Sequence, residues 1–147
     1  MSPIVDNSFT AKEIVLLDLG MGSPIGFAAD SPQAIDRATR RIAEQLFESR
    51  ASIGIGKYNE PRFCYRANQF ATPEGNQRTI HLGIDLFLEP RHPVKAPFAG
   101  RVHSVRDNNC NQDYGPTVIL EHQIADGPAP FFTLFGHLGR ESISHLK

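Results

Sequence analysis

Six histidines stand at positions 81, 92, 103, 122, 137 and 145, and His81 precedes an aspartate by four residues in His81-Leu82-Gly83-Ile84-Asp85. Imidazole nitrogen and carboxylate oxygen are both good zinc donors at about 2 Å from the metal. On a straight strand the two side chains would share a face yet stand about 13 Å apart. Joint chelation therefore needs the backbone to turn between them, and Gly83 is the residue that permits the turn. A helix would also bring the two together, but Gly83 and the β-rich surroundings argue against one. Taken alone, the pair reads more simply as a surface histidine at a strand start and a polar strand position.

The elements that must position these residues are short. From Thr79 onward, apolar runs at Ile84–Leu88, Val94–Ala96, Arg101–Arg106, Pro116–His122 and Phe131–Gly136 read as strands, with separators rich in Gly, Pro, Asn and Asp. Many short strands in quick succession suggest a small antiparallel sheet or barrel-like sandwich. The first third is α/β-like. An apolar run at Ile14–Leu19 leads through a Gly/Ser/Pro loop to Ser31-Pro32, an N-cap hydroxyl followed by a proline at the first helical position. Ile35, Ala38, Ile42, Leu46 and Phe47 then recur at helical steps, so an amphipathic helix is expected between Asp30 and Ala51, with Ile35, Ile42 and Leu46 packed inward. Ser52–Tyr65 alternates as an extended, edge-type segment. Its Gly54-Ile55-Gly56 lacks the third glycine and the following helix of a nucleotide loop. The fold class expected is thus α+β, mainly β, with an N-terminal helical attachment.

The residues after His81 and Asp85 give the pair its meaning. Pro93-Val94-Lys95-Ala96-Pro97-Phe98-Ala99-Gly100-Arg101-Val102 reads as strand, tight turn and strand. Next come Asp113-Tyr114-Gly115, a run ending Leu120-Glu121-His122, and Leu134-Phe135-Gly136-His137-Leu138. In this order, from Thr79 to Leu146, the residues resemble the lysostaphin-type zinc metallopeptidases, which cleave peptidoglycan. The resemblance implies that His81 and Asp85 are zinc ligands and that His137 is a catalytic histidine, polarising the scissile carbonyl or stabilising the oxyanion. It also implies a later His-x-His motif, whose second histidine completes the metal site. Residues 1–147 contain no such motif, and His145-Leu146-Lys147 comes too soon after His137 to supply it. Phe135 stands where the family carries tyrosine, and the loop Gln123–Pro130 is longer than the usual glycine turn.

A second resemblance takes in the N-terminal segment. Ile53-Gly-Ile-Gly-Lys-Tyr-Asn-Glu-Pro-Arg62 with Arg78-Thr-Ile-His-Leu-Gly-Ile-Asp-Leu-Phe87 after it is similar to the centre of large multidomain proteins. In those, a lysostaphin-like domain lies between a phosphotransferase-like kinase domain and a class-III aminotransferase domain. The expected organisation is a lead-in segment over 1–75 and the N-terminal part of a peptidase-like domain over 76–147, as a fragment of a longer chain. Pyridoxal phosphate would belong to a separate domain of that parent. The expected partners are a peptide or other amide substrate and the parent's other domains. With two of three ligands, this chain should bind zinc poorly and hydrolyse little.

Rival readings attach to the same residues. The fold could serve as a binding or scaffolding module without peptidase work. A biotinyl- or lipoyl-type carrier shares the Pro-Val-x-Ala-Pro hairpin, but that class needs a lysine on an exposed turn; Lys95 is expected within a strand, and no Met-Lys-Met turn exists. The other histidines take structural readings: His92 as a loop residue, His103 as an exposed strand residue, and His122 as a strand end near the site but not a ligand, with support of the site as the lesser alternative.

Composition bounds the rest. Hydrophobic residues at 40% and charged residues at 21% are globular values, excluding disorder and coiled coil. A net charge of -1 leaves no electrostatic footprint for nucleic acid or an anionic membrane. No run approaches the roughly 20 apolar residues of a membrane span, and Met1 to Asp18 lacks a signal-peptide pattern. Cys64 and Cys110 have no metal-type spacing; a disulfide between them is the alternative, and two free thiols of a cytoplasmic protein are the better reading.

Overall fold

A computed structural model describes residues 3–5, 9–25, 31–62, 71, 73–76, 79–110, 113–124 and 127–146. The chain forms two compact units, Ser8–Pro90 and Arg91–Lys147 with Met1–Asn7. The boundary expected near residue 75 follows the motifs, whereas the compact units divide at Pro90.

In the Ser8–Pro90 unit, β1 (Ile14–Leu17) and β2 (Ile53–Gly56) pair in parallel, joined through helix α1 (Pro32–Glu48). A parallel pair needs such a crossover, and the helix supplies it. On the other side of β2 lies β5 (Asp85–Phe87), antiparallel, in the order β1-β2-β5. A separate two-stranded ladder joins β3 (Glu60–Pro61) to β4 (Ile80–His81). Leu17, Leu19, Ile25 and Ile42 form the core, with Val15, Leu46 and Phe87 packed against it. Each such side chain, fully buried, contributes about 1.5–3 kcal/mol.

Helix α1 begins as its sequence requires. Ser31 is the N-cap, its hydroxyl accepting from the Ala34 amide at 3.2 Å, and proline fills the first turn. Ala38 and Ile42 are buried, but Ile35 is 37% exposed and Phe47 85%. The expected inward packing of Ile35 is therefore not seen. A 17-residue helix is about 25 Å long, while four-residue strands cover about 13 Å, so the sheet cannot cover the helix along its whole length. Asp30, at the edge of the expected helix, lies outside the described residues.

In the Arg91–Lys147 unit, β6 (Arg101–Asn108), β7 (Gly115–His122) and β8 (Phe131–Phe135) form an antiparallel meander. A short helix, α2 (Arg140–Ile143), comes next and buries Ile143. The register between β6 and β7 shifts at His103, which lies between paired Val102 and Ser104. Val94–Ala96, expected as a strand, is not one. Pro93 and Pro97 bound it and have no amide with which to extend a ladder to either side; the Lys95 amide bonds the Ile4 carbonyl, at 2.8 Å.

The described strands thus make a mainly β protein of three small sheets, without a closed barrel. Among the described residues, no helix is long and apolar enough to cross a membrane.

Candidate functional site

The residues that could do chemistry in the Ser8–Pro90 unit are gathered by two ladders. Gly56 stands opposite Asp85 across β2 and β5, and Glu60 stands opposite His81 across β3 and β4. Lys57, Tyr58 and Asn59 turn the chain from β2 into β3, with Asn59 at φ 57°, a left-handed conformation that asparagine tolerates. His81 and Asp85 thus end up on strands that pair with different partners. The chain turns between them as expected, and His81 Nε2 lies 3.7 Å from Asp85 Oδ1.

Gly83 matters for space rather than for left-handed φ, which it does not adopt. A Cβ there would sit 3.0 Å from His81 Nε2, so a side chain would crowd the very nitrogen that faces Asp85.

Behind this pair lies a buried chain of charges. Arg62 Nη1 contacts Asp85 Oδ2 at 2.6 Å. Glu60 Oε2 takes the other edge of the guanidinium, 2.9 Å from Nε and 2.8 Å from Nη2. Glu60 Oε1 accepts the Leu19 amide at 3.0 Å. Glu60 and Arg62 are 4% and 6% exposed. Lys57 closes the chain at the surface, with Nζ 3.3 Å from Asp18 Oδ1 and 3.7 Å from Glu60 Oε1. Glu60, Lys57 and Asp18 also line an open cleft of about 260 Å³ with Tyr58.

Gly54 and Gly56 are explained by this packing, and lie on a strand. A Cβ on Gly54 would come 2.7 Å from Leu17 Cδ1; one on Gly56 would come 2.9 Å from Leu19 Cδ1 and 3.1 Å from Arg62 Nη2. The missing side chain at 56 is what lets the guanidinium reach Asp85.

Electrostatics sort the protonation states. Burial holds the His81 imidazole below its ordinary pKa, Asp85 pulls it back up, and Arg62 pushes it down again. Burial opposes the Arg62 charge, but Asp85 and Glu60 outweigh it and raise its pKa. His81 is therefore neutral at pH 7, the form in which a histidine ligates metal.

In the Arg91–Lys147 unit, His137 comes after β8 with φ 56°. Its amide bonds the Tyr114 carbonyl at 2.7 Å, and its exposed ring lies 6.4 Å from the tyrosine ring. His122 is buried at 1% exposure. Its Nδ1 is 3.0 Å from the Ala99 carbonyl and its Nε2 2.8 Å from Thr133 Oγ1. A carbonyl only accepts, so Nδ1 carries the proton and Nε2 accepts from the threonine hydroxyl. Phe131 stacks on the ring at 4.9 Å. His122 is thus bound within its own unit at both nitrogens, as its structural reading requires. His103 is exposed as expected, edge-on to Phe132 at 5.0 Å.

Lys95 is exposed and outside any strand, so the carrier reading is opposed by the absence of a Met-Lys-Met turn and not by burial in a sheet. Cys110 is an exposed free thiol, and Cys64 lies outside the described residues.

The separation of His81 from Asp85 compares with that of two ligands on one metal. Two donors about 2.0–2.1 Å from a tetrahedral zinc stand roughly 3.3 Å apart, near the 3.7 Å found. Among the described residues, no group of three or more His, Cys, Asp or Glu side chains is gathered to hold an ion. The residues that sequence reasoning missed are Glu60 and Arg62. Their signal was present: opposite charges two apart on an extended segment share one face. No family model matches the chain, and no curated protein or solved structure does either.

Proposed function

We propose that this chain carries part of a lysostaphin-type zinc site for amide hydrolysis, within a longer protein that also has a class-III aminotransferase domain. The observation that supports it best is the approach of neutral His81 to Asp85, 3.7 Å between Nε2 and Oδ1. In this reading the two are metal ligands, a histidine of a later His-x-His motif is the third, and His137 stabilises the oxyanion on a peptide or other amide. The bound zinc supplies a water of lowered pKa and polarises the carbonyl.

The second reading is a binding or scaffolding module. It is favoured by Arg62, which already neutralises one oxygen of Asp85 at 2.6 Å and would make the cluster a purely structural one.

Metal analysis of the full-length gene product separates the two. Zinc at one per chain is expected in the wild type, lost in Asp85→Ala and kept in His137→Ala, with amide hydrolysis absent from both variants. Full zinc in Asp85→Ala would refute the ligand assignment, and loss of zinc in His137→Ala would mean that the roles are reversed. A zinc-loaded wild type that cleaves no peptide or cell-wall precursor would favour the scaffold.

A further inference from the structure

We infer that Arg62 is a positioning residue for Asp85, gripping one carboxylate oxygen so that the other is presented to His81 Nε2. The inference rests on the reading of His81 and Asp85 as metal ligands.

Asp85 is 30% exposed in its side chain, so packing alone does not fix its rotation. A carboxylate swinging between rotamers would face His81 part of the time. Arg62 removes that freedom. Its Nη1 holds Oδ2 at 2.6 Å, and Oδ1 is then left toward His81 at 3.7 Å. The guanidinium cannot move outward with Asp85, because Glu60 holds its opposite edge and is itself tied to the Leu19 amide at 3.0 Å. A planar fork with several donors suits this task, where a lysine ammonium would make one point contact. Gly56 leaves the space through which the fork reaches.

A cation beside a metal ligand also repels the metal, so orientation and charge act in opposite directions. Glu60 decides between them. With Glu60 and Arg62 cancelling, the cluster keeps the single negative charge of Asp85, and orientation is the larger effect.

Two variants test this in the full-length gene product. Glu60→Gln/Arg62→Met keeps the total charge while removing the grip; Arg62→Lys keeps the cation while removing the fork. Asp85 Hα–Hβ couplings, measured without metal, should report one rotamer in the wild type and averaging in the double variant. Zinc titration monitored on the His81 ring nitrogens should show an affinity about 10–100-fold weaker in the double variant, with Arg62→Lys between. Asp85→Ala should abolish the response. An unchanged Asp85 rotamer, or zinc affinity equal to or tighter than the wild type, overturns the inference while a silent Asp85→Ala leaves the metal reading standing. A normal zinc response in Asp85→Ala sinks the metal reading and the inference with it. Should the double variant fail to fold, Arg62→Lys decides: wild-type couplings and affinity there overturn the role of the fork.

Discussion

Glu60 and His81 face each other across the β3–β4 ladder, yet they turn to different partners. Glu60 gives its carboxylate to Arg62 and the Leu19 amide, while His81 turns Nε2 toward Asp85. Arg62 joins the two halves through its contact with Asp85. Stability and candidate chemistry therefore share one set of side chains.

Arg62→Leu should destabilise the chain by about 3–5 kcal/mol, because it leaves the buried Glu60 charge with only the more distant Lys57 ammonium, 3.7 Å away at the surface. Adding Glu60→Leu should recover much of the loss, since replacing a buried pair by apolar residues is far milder than breaking it. Urea unfolding of the single and double variants measures both, and equal losses in the two would contradict the assignment.

Gly56→Ala should cost about 1–3 kcal/mol through overpacking. Its Cβ would meet Leu19 Cδ1 at 2.9 Å and Arg62 Nη2 at 3.1 Å. Gly75→Ala is a contrasting control, because nothing lies within 4 Å of a Cβ there and its cost comes from φ 81° alone. Thermal unfolding of the pair distinguishes crowding from backbone strain.

His81 gives a pH signature with a definite sign. Its folded pKa lies below the ordinary 6.5, chiefly through burial, so the unfolded chain binds the proton more readily. The His81 contribution is complete above about pH 6.5 and is lost as pH falls from there toward the folded pKa. Urea unfolding between pH 7.5 and 5.5 should show stability falling with acid, and His81→Gln should show a flatter profile. A His81→Gln slope as steep as the wild type would remove His81 as the cause.

His122→Ala should destabilise the Arg91–Lys147 unit and leave any zinc response at His81 unchanged. It removes the partner of the Ala99 carbonyl and of the Thr133 hydroxyl; Ala99 is exposed and Thr133 half-buried, so each lost hydrogen bond costs about 0.5–1.5 kcal/mol, beside the lost stacking on Phe131. Zinc titration at a temperature where the variant stays folded should match the wild type, and a lost zinc response would restore His122 to the site.

Much of the local structure was legible because short-range chemistry dictates it. Ser31-Pro32 starts α1 by capping and fixed φ, wherever the helix packs. The alternating runs near 101–106, 116–122 and 131–136 became β6, β7 and β8. The His81–Asp85 pair demanded a turn, and the chain does turn there. Val94–Ala96 reads as a strand but forms none: Pro93 and Pro97 bound it, so a ladder has no amide to continue on beyond its three residues.

What the sequence determined by itself was therefore the elements with a local cause: the capped helix, the meander strands and the neighbouring pair of donor side chains. The parallel pairing of β1 with β2 and the grip of Arg62 on Asp85 were decided by tertiary structure alone. Both bring together residues more than twenty positions apart, and a contact of that kind leaves no period in the sequence. Gly56 shows the limit best: its meaning is the space it leaves for a guanidinium six residues on, which exists once β2, β3 and β5 have met.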